Sequence, residues 1–424
     1  MLSAMSSMDQ AIFKIFQATT GFLDRNVSGS GIRVDTFTDD PYPEYARIRG
    51  RGAVVRNYSV GGWFVLGFDA VQDAMKDARF GADPRKSPFV QRVLKRISQG
   101  ERFRFIEEPT MLNLDPPDHT RLRKLARQGF LHKYVQGLEG NIRELVDECL
   151  KTVQDSGTFD LIDTLAAPLP AFLISDILGV PREGRAKFQA WSEHIAKYAR
   201  TIEYEAIRTT DAIYNEMIEF LAGVVEKKRS TPGDDLISQF IAAEEEGDRL
   251  SAEEIYNTSA LLLIAGHETT TRLIGNAVWL LLTHPEQLQL LRDDPALIPN
   301  AVEEVLRFQS PVQHTTRIAL EDMHFHGAKI RKHQIVEVII GAANRDAAAN
   351  QDPDRFDVRR GDVKHVGFGH GVHLCLGAEL ARLEATTVLE MLLERFPDLT
   401  LESKVPAWGD SDFVRGLDEL IVSV

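Results

Sequence analysis

The chain is 424 residues long with a formal net charge of −14, 43% hydrophobic and 26% charged residues, and two cysteines. That length suggests two or three domains by default, yet an enzyme that encloses a cofactor reaches it as one unit. The charge excludes a general nucleic-acid binder, the two distant cysteines exclude a disulfide scaffold, and no apolar run reaches the roughly 18 residues of a membrane span.

In chain order, residues 8 to 22 are at most an amphipathic helical segment, part of a 1–30 helical extension on a single domain spanning 1–424. No basic region leads into a long apolar run, so we expect a cytoplasmic protein without a membrane anchor. AVVRNYSVGGWFVLGF, residues 53 to 68, alternates around Gly61-Gly62 and predicts a hairpin. The stretch from Phe89 to Pro109 mixes charge and aromatics with poor periodicity, which fits a mobile loop over a site and a solvated surface loop equally.

DPPDHTRLRKLARQ, residues 115 to 128, starts a helix rich in positive charge. One reading is a solvated face. The other splits the set: His119 and Arg123, four apart, turn inward to an anion, while Arg121, Lys124 and Arg127 offer a basic patch to a partner. Helical spacing then covers roughly 118–154, 160–178, 182–229 and 234–246, and Cys149 follows it as a packing residue.

SAEEIYNTSALLLIAGHETTTRLIGNAVWLLLTHP opens with a Ser251–Glu254 capping box and stops at Pro285, which predicts one helix of about 34 residues through the core. AGHETTT sits badly in its middle, because glycine and consecutive threonines are poor helix formers. A functional groove and a satisfied structural kink both account for it. A groove there offers the Glu268 carboxylate and the Thr269 hydroxyl beside Ala265 and Gly266, which suits proton delivery or a hydrolytic base.

Helical spacing resumes over 286–310, where Glu304 and Arg307 lie three apart on one face; if buried, the pair needs a further partner, and Arg355 in DPDRFD is the candidate. Arg317 in HTTRIA is a further candidate for an inward carboxylate. Met323 to Ile340 is strand-like, and a last helix runs over 376–396.

FGHGVHLCLG, residues 368 to 377, puts Cys375 at the start of that helix, where free amides and the dipole favour thiolate. A zinc site from His365, His370, His373 and Cys375 has suitable ligands crowded into eleven residues. A phosphate loop lacks its third glycine and its lysine. A cysteine nucleophile needs a base and leaves the AGHETTT groove unexplained. An iron-bound thiolate accounts for the glycines, the helix start and the groove.

FGHGVHLCLG resembles the haem-binding signature of the cytochrome P450 family of haem-thiolate monooxygenases. AGHETT, EVLR, PDRF and DPPDHTRLR resemble the family's other motifs in the family's order across residues 115 to 377. The resemblance implies a mainly α fold with small β-sheets and a long central helix over haem b, with O2 as co-substrate. It implies Cys375 as axial iron ligand, His119, Arg123, Arg317 and His373 as propionate contacts, and Glu268 and Thr269 as the proton relay. Glu304, Arg307 and Arg355 become structural support. Leu261, Ile264 and Ala265, on one face with Glu268, join Gln313, Thr315 and Phe413 as pocket lining for a lipophilic small molecule. A separate ferredoxin and ferredoxin reductase would supply electrons at the Arg121, Lys124 and Arg127 patch, to a monomer. The other classes are a haem protein that rearranges its substrate without O2, and a haem-based sensor or zinc-stabilised binding protein.

Overall fold

In the computed structural model, residues 40–424 are described except 59–60, 152, 154–156, 199–202, 246–249, 403–404, 412 and the side chains of 244–245. The expected 1–30 extension lies outside these residues.

Helices form the body, and the longest runs from Ala252 to Thr283. Its start is built as the capping box requires: the Glu254 amide donates to Ser251 Oγ at 3.2 Å, and the Ser251 amide to Glu254 Oε2 at 2.8 Å. The AGHETTT stretch lies within it as continuous helix. Thr269 Oγ1 donates to the Ala265 carbonyl at 2.9 Å and Thr271 Oγ1 to the His267 carbonyl at 3.1 Å, so these hydroxyls are satisfied within an unbroken ladder. Gly266 packs closely on one side: a Cβ there would lie 3.3 Å from Ile174 on the neighbouring helix Pro168–Leu178.

The largest apolar core joins this helix to helices Glu139–Leu150, Pro168–Leu178, Ile298–Phe308 and Ala378–Arg395. Several expected long helices are shorter pieces. The 118–154 stretch holds Asp118–Ala126, His132–Gln136 and Glu139–Leu150, and 286–310 is divided at the Pro295 turn. The 89–109 segment is not a loop throughout, because Ser87 caps a helix over Pro88–Ile97 and a single turn follows at Arg104–Glu107.

A five-stranded sheet lies beside the helices in the order Val54–Asn57, Gly62–Val65, Ile335–Ile339, His314–Ala319, Phe80–Gly81. The predicted hairpin pairs Val54 with Val65 and Asn57 with Gly62. The strand at His314–Ala319 was not expected. It pairs antiparallel with Ile335–Ile339, Thr316 opposite Glu337, so His314 and Thr316 bond the Glu337 carboxylate on one face while Thr315 and Arg317 share the other. Among the described residues no helix is long and apolar enough to cross a membrane.

Glu304 and Arg307 are fully buried and paired at 2.6 Å. Their further partner differs from the expected one. Arg360 reaches Glu304 Oε2 at 3.0 Å, whereas Arg355 contributes only its backbone carbonyl, 3.1 Å from Arg307, and its side chain is exposed. The carbonyls of Asn344 and Pro353 complete the guanidinium's bonds, so neither charge is stranded. Arg307→Ala is therefore expected to cost about 3–5 kcal/mol in urea unfolding, since it leaves a buried carboxylate short of its cation. Arg355→Ala should stay within about 0.5 kcal/mol.

Candidate active site

Cys375 precedes helix Ala378–Arg395, whose N-cap is Gly377. Its amide donates to the Phe368 carbonyl at 2.8 Å, which closes the loop on itself. Gly369 and Gly371 have φ of 74° and 72°, in the left-handed region that favours glycine. A Cβ at Gly371 would lie 2.5 Å from the Met75 carbonyl, so this glycine lets the loop sit on the end of helix Phe68–Lys76. Cys375 is solvent-accessible, yet the chain surrounds it closely enough that burial pushes its thiol up, against the Gly377 amide and the charges of Arg123 and Arg382. The Gly377 amide at the helix start favours thiolate as expected, but desolvation of the free thiol is the larger effect. Leu374, beside the sulfur, is 44% exposed.

Four cationic or titratable side chains gather near this loop. His119 is 1% exposed, and neither ring nitrogen has a hydrogen-bond partner. Its ring centroid is 4.2 Å from that of His373. Arg123 donates to the Leu374 carbonyl, and buried Arg317 donates to Thr315 Oγ1 at 3.0 Å and the Thr316 carbonyl at 2.9 Å. Among the described residues no carboxylate pairs with either arginine; the nearby Asp115 is spent on Lys86 at 2.7 Å and the Ala82 amide. Burial, then Arg317 and His119, pushes His373 down to about 3, and burial with Arg123 lowers His119. Such a group is short of an anion. A planar ligand carrying two carboxylates and an iron for the lone sulfur fits it, and haem is such a ligand.

The tetrahedral zinc arrangement does not form. His365 is bonded to Glu303 at 2.9 Å, and among the described residues no group of three or more His, Cys, Asp or Glu could hold a metal. Haem-thiolate ligation asks only one sulfur of the chain. His370 makes no contact that gives it a role.

On the long helix, Ala265 is exposed, Leu261, Ile264, Gly266 and Thr269 are half-buried, and Glu268 is buried. This is the signature of a cavity wall inside the core. Thr315 and Phe413 are also half-buried. Gln313 is not lining: it is 2% exposed, accepts from Tyr45 Oη at 3.3 Å and donates to the Ser310 carbonyl at 2.7 Å, and so fills the space over Gly341. Arg121, partly exposed, binds the Glu254 carboxylate of the capping box. Lys124 and Arg127 remain exposed.

Three partners escaped the sequence reading. Arg272 binds Glu268 at 2.7 Å, Arg360 completes the Glu304 cluster, and Arg382 binds Glu303 at 2.6 Å while its guanidinium lies 4.5 Å over the Phe368 ring. The first was within reach, since Glu268 and Arg272 have the i,i+4 spacing and order of a helix ion pair.

A family model described as Cytochrome P450 matches residues 89–407. Cytochrome P450 107B1 of Saccharopolyspora erythraea is 42% identical over 397 residues, covering 92% of this chain and 96% of that one. The 6-deoxyerythronolide B hydroxylase of the same organism is 39% identical over 395 residues, covering 92% and 97%. The solved structure of the myxobacterial cytochrome P450 CYP267B1 in complex with myristic acid has a TM-score of 0.84 at 35% identity, covering 95% of this chain and 99% of that one.

Burial alone would raise the Glu303 carboxyl, but bonds from His365 and Arg382 hold it at about 2 against an ordinary 4.5. A carboxyl lowered on folding adds stability above its unfolded value and loses it as pH falls through the folded one. Stability against urea should therefore drop between about pH 4.5 and 2 by up to roughly 3 kcal/mol from this group. Glu303→Gln should remove that part of the slope, seen as a smaller difference between unfolding curves at pH 5 and pH 3.

Proposed function

Because this chain belongs to the cytochrome P450 family and is a haem-dependent monooxygenase, we propose that it inserts one oxygen atom from O2 into a C–H bond of a lipophilic small molecule, using electrons from a separate ferredoxin and ferredoxin reductase. When bound, haem b supplies the redox-active iron at which O2 is activated. The observation that carries the reading is buried His119, both nitrogens unbonded, beside Arg123 and Arg317, with which no carboxylate among the described residues pairs.

In this reading His119, Arg123, Arg317 and His373 hold the two propionates. The guanidinium forks suit carboxylates, and a nearby carboxylate favours the charged form of each histidine. Cys375 is the iron ligand. Burial raises the free Cys375 thiol, and as an iron ligand its sulfur would be bound as thiolate, because a coordinating thiol is deprotonated. Glu268 and Thr269 move protons: the hydroxyl donates to the Ala265 carbonyl at 2.9 Å and keeps its lone pairs free to accept from water. Leu261, Ile264 and Ala265 give the substrate an apolar wall, with Thr315 and Phe413 as neighbours. A relative named for the hydroxylation of 6-deoxyerythronolide B and a neighbour solved with myristic acid support a lipophilic substrate.

Lys124 and Arg127, both exposed, with the partly exposed Arg121 that pairs with Glu254, receive an acidic ferredoxin. Charge reversal of both should slow reduction by ferredoxin about tenfold or more at low salt and flatten its salt dependence, because steering by surface charge is screened. Unchanged reduction kinetics in a stopped-flow measurement would remove the patch from this role.

The haem-loaded protein should give the thiolate-type band of the reduced carbon monoxide complex, and Cys375→Ser should lose it while metal analysis still finds iron. Retention of the band in that variant would overturn the ligand assignment. Addition of substrates from a panel of macrolactones, steroids and fatty acids should shift the haem spin state for the class that fits.

A further inference from the structure

Glu268 is not a free carboxylate. One helical turn on, Arg272 brings its guanidinium to Oε1 at 2.7 Å. The same guanidinium leaves the helix on its other side: Nη1 donates to the Leu417 carbonyl and pairs with Asp418 Oδ1 at 2.8 Å, on the strand Leu417–Glu419. Just before that strand, a Cβ at Gly416 would lie 2.3 Å from Cδ, 2.7 Å from Cβ and 2.8 Å from Cγ of Arg272, so the arginine stem lies flat on bare backbone. Side-chain exposure rises along the chain of charges, from 10% at Glu268 and 15% at Arg272 to 52% at Asp418.

Further charges face this pair from the packed elements. Glu193, on helix Arg185–Tyr198, is raised first by burial and then by repulsion from Glu268 and from Asp163 on the turn Ile162–Ala166, with Arg272 opposing. His267, beside Glu268, bonds Ser192 and is held down at about 4 by burial. Arg272 is thus the one cation set among Glu268, Asp418, Glu193 and Asp163 in the contacts described. A carboxylate committed to a buried guanidinium takes up a proton reluctantly, and one whose cation is shared outward does so more readily.

We propose that Arg272 is a positioning residue of the proton relay, which divides its charge between Glu268 and the outer Asp418 and, seated on Gly416, sets how readily Glu268 takes up and passes a proton. The inference rests on Glu268 being a proton carrier. It predicts opposite effects from two neighbouring substitutions. Arg272→Gln removes the cation from Glu268, so acid-dependent turnover should persist to higher pH. Asp418→Asn removes the outer competitor, commits Arg272 to Glu268, and should move the same limb to lower pH. Gly416→Ala leaves every charge in place but pushes the arginine stem aside, and should act in the direction of Arg272→Gln. Arg272→Lys, which keeps the charge, should return the limb toward the parent position.

The test is the pH–rate profile of guaiacol oxidation driven by hydrogen peroxide in the haem-loaded protein, which needs neither natural substrate nor ferredoxin. Shifts of about half a unit to one unit in opposite directions are expected for Arg272→Gln and Asp418→Asn, the size of one neighbouring charge gained or lost. Hydrogen exchange over residues 414–420 is measured alongside, and should quicken in Arg272→Gln. Faster exchange with an unmoved profile would mean a structural tie only and would overturn the proposal. Should Arg272→Gln fail to fold, half-exposed Asp418→Asn carries the test, and an unmoved limb there is decisive against it. Glu268→Gln separates the two claims. If it keeps the parent profile, the relay reading itself fails; if it flattens the profile while the Arg272 and Asp418 variants leave theirs unmoved, only the positioning role fails.

Discussion

Removing a guanidinium or an imidazolium from water costs several kcal/mol unless an anion or a set of hydrogen bonds replaces the lost solvation. His119, Arg123, Arg317 and His373 accept that cost together, within one pocket and without a carboxylate in contact. The chain limits the damage by keeping both histidines neutral, with His373 at about 3. It does not neutralise the arginines, which retain only carbonyl and hydroxyl acceptors. The arrangement makes physical sense as half of a larger one whose anionic half arrives with a ligand.

Much of the fold can be understood as the means of holding that half-site open. The sheet alternates so that Glu337 takes up His314 and Thr316 on one face, which leaves Thr315 and Arg317 together on the other. The loop at 368–377 reaches the same pocket because two left-handed glycines turn it and one of them rests on the Met75 carbonyl. Behind the loop, Arg382 lies over Phe368 and is itself fixed by Glu303 and His365, so the residue whose carbonyl accepts from the Cys375 amide is braced from the side. Deeper still, the Glu304, Arg307 and Arg360 cluster ties helix Ile298–Phe308 to the chain at 353–360. Unlike the site, this cluster is complete in itself.

The difference between complete and incomplete charge clusters also explains what was legible in the sequence. The residues we assign to the ligand, such as Cys375, His119 and Arg317, stand out because their types are wrong for their surroundings. The long helix was legible for a plainer reason: Ser251, Glu254 and Pro285 mark its ends, and local rules set local structure. Partners chosen by tertiary packing were not legible. Nothing in DPDRFDVRR says that Arg360 rather than Arg355 turns inward, since both are arginines in one turn-rich stretch and only the path of the backbone separates them. Gln313 resembles a pocket residue until the backbone carries it under Tyr45. The strand at His314–Ala319 is short and threonine-rich, and its pairing is fixed by Glu337 more than twenty residues away. AGHETTT breaks helix propensity yet stays helical, because Thr269 and Thr271 bond carbonyls one turn back and Gly266 admits Ile174.

The two sides of the site therefore follow opposite electrostatic rules. On the cysteine side the chain leaves cations unanswered, so an anionic ligand gains the full benefit of charges whose desolvation was met in folding, and its binding adds to the stability of the native state by mass action. On the long-helix side the chain answers its own acid, Glu268, with Arg272, and spreads the remaining charge outward to Asp418. Under the function proposed above, the side that holds a ligand is served by unmet charge. The side proposed to handle a proton is better served by a balance that a small displacement can tip, which is what a guanidinium shared between a buried and a half-exposed carboxylate provides.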